Sequence, residues 1–147
     1  MDRGTAVILT ALVGGLVALQ APINSGLGRA VGTFPGAFLS FVIGTVLLAG
    51  IVVLQGGGFG GLAEARHVQW YYLFGGFLGA AYVSTVLVTV RTLGAGAVTA
   101  ATISGQLSMS LVIDHLGLLG VQKDPISALK VLGVVLLAAG TFLIVRD

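Results

Sequence analysis

The polar side chains that could do chemistry in this chain fall at helical spacing. Thr99, Thr102, Gln106, Ser110 and Asp114 follow one another at steps of three, four, four and four residues, which places them on one stripe of a helix. Gln20 and Asn24 are four apart, and Tyr82, Thr85 and Thr89 follow the same rule. Such rows of amides and hydroxyls make a hydrogen-bonding face, not a nucleophile with its base. Ser and Thr on a helix also bond their own backbone carbonyl one turn back, which is the competing account of the hydroxyls. Gln20 and Gln106 cannot be hidden that way. Their alternatives are a helix–helix hydrogen bond, worth about 0.6–2 kcal/mol, or a polar solute. Asp114 and His115 are adjacent titratable groups that could couple a proton or ion. Adjacent helical residues point about 100° apart, so they form no pair by themselves, and a helix end in contact with water accounts for them as well.

Metal, cofactor and enzyme chemistry find no support. His67 and His115 lack metal partners, the chain has no cysteine, and no cofactor is expected. The run "GGGFGG" has neither the strand nor the helix that a phosphate-binding loop needs.

The elements that must position these residues follow from composition. Hydrophobic residues make up 56% of the 147 and charged residues 8%, against about 25% charged in a soluble domain; mean hydropathy is +1.09. Seven basic and five acidic residues cannot coat a water-facing surface, so the solvent of this chain is lipid. The net charge of +2 carries no basic stripe, which excludes nucleic acid as a partner. About 20 apolar residues span a hydrocarbon core. Five stretches qualify, at about 5–24, 34–54, 70–90, 93–113 and 128–145, in one membrane domain over 1–147. The first is read as a span and not as a cleaved leader, because no polar chain follows it. Trp70, Tyr71 and Tyr72 suit an interface, and Pro125 with Ser127 suits a helix start. The expected fold is an all-α integral membrane protein of five transmembrane helices.

An odd number of spans puts the termini on opposite sides. Arg3, Arg66, Lys123 and Lys130 then fall on one side and Arg29, Arg91 and Arg146 on the other. Lys/Arg excess sets orientation, and four against three sets none, so insertion both ways is expected. Five helices are too few to enclose a solute path, but half of an inverted-repeat transporter has this form. The polar faces of helices 1, 3 and 4, with the small-residue line Ala37, Ser40 and Gly44 of helix 2, are expected to turn toward a shared cavity. Helix 5 lies outside, packing through Gly133 and Gly140. Pro22 either ends helix 1 or kinks it to present Gln20 and Asn24 together; Asn24 also suits a helix-end cap. Arg29 and Arg91, if drawn inward, favour anions.

"QAPINSGLGRAVGTFPGAFLSFVIG" (20–44), "WYYLFGGFLGAAYV" (70–83) and "ISGQLSMSLVIDHLGLLG" (103–120) resemble the YdcZ-like family, short bacterial inner-membrane proteins of the drug/metabolite transporter superfamily. The resemblance covers nearly the whole chain. It implies a five-helix subunit equal to one half of a ten-helix inverted-repeat transporter, with the cavity lined mainly by the first four helices. It points to Gln20, Asn24, Gly105, Gln106 and Asp114, while Leu116 and Arg91 depart from the family pattern. The expected function is a small-molecule transporter, an exporter, working as an antiparallel homodimer by alternating access. The alternative is a non-transporting scaffold or an obligate heterodimer subunit. Its expected cavity is Gln20, Asn24, Ser40, Tyr82, Thr85, Thr102, Gln106 and Ser110, with Pro22 and Gly105 as hinges. Its expected surroundings are the lipid of a bacterial inner membrane and a second copy of itself.

Overall fold

The structure, a computed structural model, describes residues 2–56 and 58–146. Among the described residues it is built of helices and turns, with no strand. Four helices are long and apolar enough to cross a membrane: α1 (Arg3–Val31), α2 (Thr33–Leu54), α3 (Gly75–Leu116) and α4 (Ala128–Arg146). The 42 residues of α3 would span about 63 Å as one rod, twice a hydrocarbon core of about 30 Å. The helix is broken at Gly94, whose φ of 77° and ψ of 165° lie in a region essentially reserved for glycine. The break leaves two membrane-length pieces, so the chain carries the five apolar helices read from its sequence.

By its internal contacts the chain divides into two compact units, one ending at Arg91 and the other beginning at Thr92. The first holds α1, α2 and the first part of α3. Asp2 caps α1: its Oδ1 accepts the Thr5 N–H at 2.9 Å and its Oδ2 the Thr5 hydroxyl at 2.5 Å. Those two bonds, the hydroxyl first, hold the Asp2 carboxyl below its usual value. The backbone stays helical through Pro22 and on to Val31. Asn24 is therefore an interior residue, and the helix-end cap considered for it is corrected. Proline removes one i→i−4 bond, yet the helix continues across it, and Asn24, two residues on, is bonded to Ser40 of α2.

Gly32 alone joins α1 to α2, with φ 97° and ψ 154°, and Pro35 sits in the first turn of α2, where a missing N–H is harmless. The two helices then run antiparallel at close range. A Cβ on Gly36 would lie 2.8 Å from the Gly28 Cα, so a crossing this close requires glycine at position 36. Between α2 and α3 the chain forms 3₁₀ turns at Gly60–His67 and Trp70–Phe74. The second gathers aromatic rings: Tyr71 and Tyr72 lie 4.6 Å apart, and Phe74 and Phe77 4.8 Å.

In the second unit the segment after α3 is tied to the helix end. The Asp124 N–H donates to the Asp114 carbonyl at 2.8 Å and the Ile126 N–H to His115 Nδ1 at 3.2 Å. Ser127 Oγ accepts from the Lys130 N–H at 3.3 Å and so caps α4. Lys130, a cation in a first turn where anions are favoured, is neutralised by Asp124 at 2.6 Å. Thr141, in the middle of α4, lies 2.6 Å from Ser104 Oγ and donates to the Ala100 carbonyl at 3.2 Å. A polar pair thus fixes α4 to the later part of α3.

The α1–α2 crossing predicts an order of damage. Gly36→Ala drives a methyl into backbone and is expected to lower stability by about 1–3 kcal/mol. Gly28→Ala meets the ends of the Leu87 and Arg91 side chains, at 2.9 and 3.0 Å, which can swing aside, and should cost less. Equilibrium unfolding in detergent micelles measures both.

Candidate functional site

The first unit collects polar side chains from three helices. Contacts along the seams show α1 and the first part of α3 running side by side in the same direction, with α2 antiparallel to α1. Gln20 and Ser40 line a groove of about 300 Å³ with Phe41, Gly44, Thr45, Leu48 and Val83. That volume is at the lower end of small-molecule sites, and the lining fits such a site: mostly apolar, with an amide and two hydroxyls. Gln20, Asn24 and Tyr82 also meet in a narrow cleft of about 10 Å³ between α1 and α3, room for one water.

Three arrangements recur among the polar groups. Thr10, Thr85, Thr89 and Ser108 donate to the carbonyl four residues earlier on their own helix. Thr85 is therefore satisfied locally. Asn24 is 7% exposed, and its Oδ1 accepts the Ser40 hydroxyl at 3.1 Å, which ties α1 to α2. Among the described residues, no side chain bonds the Gln20 or Gln106 amide. Gln20 faces the groove, so its donors and acceptor are on offer there.

The other expected cavity residues belong to the second unit. Thr102 is half-buried, while Gly105, Gln106 and Ser110 are exposed. Gly105 is helical, with open space where a Cβ would be; the backbone break of α3 is at Gly94. Asp114 lines a polar hollow of about 440 Å³ with Gln122, Lys123 and Asp124. His115 holds the following segment through Nδ1. Among the described residues no three His, Cys, Asp or Glu lie close enough to hold a metal ion.

Sequence reasoning missed the seam one turn further along α1 and α3. Ser25 is 2% exposed; its hydroxyl donates to the Leu87 carbonyl, and the Arg91 Nε–H donates to it, each at 3.4 Å. The available signal was the small residues Ala21, Ser25 and Gly28 on one face of α1, all buried, which mark where another helix comes close.

A family model described as "Putative inner membrane exporter, YdcZ" matches residues 5–143. The chain belongs to the YdcZ family. No curated protein and no solved structure matches it. The family is one of inner-membrane proteins whose name suggests export, and it is not an enzyme family. In this YdcZ-family chain, the groove on the first three helices brings Gln20 and Ser40 together with Thr45.

The division between shared and locally satisfied polar groups predicts unequal mutational costs. Asn24→Ala removes the α1–α2 bond and should lower stability by about 0.6–2 kcal/mol. Thr85→Val removes only a bond within one turn and should leave the unfolding midpoint in detergent almost unchanged.

Proposed function

We propose that this YdcZ-family chain exports a small solute across the inner membrane of a bacterium, two copies in opposite orientation forming one path with alternating access. The observation that carries the reading is the groove on the first unit. A membrane helix that presents an unengaged amide beside an apolar, molecule-sized recess has a use for it, because burying that amide unpaired in hydrocarbon costs several kcal/mol. Gln20 and the Ser40 and Thr45 hydroxyls offer hydrogen bonds to the polar part of a solute, and Phe41, Leu48 and Val83 cover its apolar part.

Five helices and a Lys/Arg tally of four against three support the second copy. An odd number of spans inserted both ways creates an inverted pair without gene duplication, and inverted repeats are the common ground plan of secondary transporters. Open grooves facing each other across such a pair would give a closed site, exposed alternately to the two sides as the copies rock.

Two measurements test this. Purified protein in liposomes is expected to move at least one member of a panel of amphipathic solutes, with Gln20→Ala reducing the rate at least tenfold while assembly is unchanged. Absence of flux across the panel, with Gln20→Ala altering assembly instead, would identify a scaffold. The chain has no cysteine, so Gln122→Cys gives a unique label site. A reagent confined to one side of sealed vesicles should label about half the molecules, and uniform labelling would remove the antiparallel pair.

A further inference from the structure

We propose that Arg91, oriented by Ser25, binds an oxyanion, a carboxylate or phosphate group, at the seam of α1 and α3. The serine hydroxyl has both its functions assigned. Its hydrogen goes to the Leu87 carbonyl, so a lone pair faces the Arg91 Nε–H. This holds the guanidinium from one edge while it stays open on the other. Gly28 completes the cradle, because a Cβ there would come within 3.0 Å of Nη2 and 2.9 Å of a Leu87 methyl.

An arginine has five N–H donors in a planar fork. Nε is used, and among the described residues the four donors on Nη1 and Nη2 have no protein acceptor. The charge is also uncompensated: among the described residues the ion pair is Lys130 with Asp124, in the other unit. A cation near the end of α1 gains from the dipole of that helix, but a dipole end amounts to about half a charge. A fixed fork with both arms vacant matches a carboxylate or phosphate bidentately. Leu87 and Asn24 line the narrow cleft shared with Gln20 and Tyr82. Arg91 lies one turn beyond Leu87, and Ser25 follows Asn24, so Arg91 follows that cleft by one turn.

The oxyanion has two sources, the carboxylate or phosphate of a transported solute and the phosphate of a lipid headgroup. Only the first rests on the export reading. Binding is measured on the full chain in phosphatidylcholine nanodiscs, with benzoate as the probe and benzyl alcohol as its neutral counterpart. Retention of phosphatidylglycerol is measured in parallel by native mass spectrometry.

Benzoate is expected to bind better than benzyl alcohol, and Arg91→Gln to weaken benzoate at least tenfold with benzyl alcohol unchanged. That result assigns the site to solutes. Phosphatidylglycerol held by the wild type and lost by Arg91→Gln, with the two probes equal, sustains the oxyanion site and assigns it to headgroups. Arg91→Lys keeps the charge without the fork, and Ser25→Ala keeps the fork without its anchor; both should lose several-fold. Equal binding of benzoate and of phosphatidylglycerol by wild type and Arg91→Gln overturns the proposal. Benzoate binding through Arg91 in a chain that moves no solute leaves this site standing and removes the export reading.

Discussion

In hydrocarbon no water stands ready to accept or donate a hydrogen bond, and this constraint organises the chain. Every polar group in a membrane helix must bond within its own turn, bond to a neighbouring helix, or face a recess. Thr10, Thr85, Thr89 and Ser108 take the first course. Asn24 with Ser40, Ser25 with Leu87 and Arg91, and Ser104 with Thr141 take the second. The helices of the first unit are joined by Asn24–Ser40 and Ser25–Arg91, and those of the second by Ser104–Thr141. Polar pairs set which helices adhere, since lipid tails and leucines attract one another about equally.

Glycine supplies the complementary device. Gly28 against Gly36 lets α1 and α2 approach to backbone contact, close enough for the Asn24–Ser40 bond to form one turn away. Tight packing and the polar bond support each other.

Much of the architecture was legible in the residues. Apolar run length and the low charge content marked five helices, and Pro125 with Ser127 marked a helix start that Ser127 in fact caps. Gln20, Asn24, Ser40 and Tyr82 were read from spacing, and the structure brings them to one region of the first unit. Spacing failed where a boundary depended on the backbone. Nothing in "SGLGRAVG" announces that Gly32 alone makes the turn, since Gly26, Gly28 and Gly32 look equally able to do so. Pro22 and the amides around it allow either an end or a kink, and the helix runs on through Pro22 to Val31. Ser25, and with it the setting of Arg91, could not be read from spacing, because their contact joins residues 66 apart in sequence, and periodicity within a single helix carries no trace of it. Thr141 stands alone in the middle of α4, so spacing says nothing of its role; its partners are on another helix.

The single-residue link at Gly32 bears on how the chain enters the bilayer. Between Arg3 and Glu64 the one charged residue is Arg29, and no hydrophilic loop separates α1 from α2. What must be carried through the membrane to seat this hairpin is a bend bearing one cation, a small load for an insertion machine. The first two helices can thus enter as a preformed pin. Whichever way the pin points, the first part of α3, which runs alongside α1, inherits its direction, so a choice made early and at low cost would set the orientation of this whole unit.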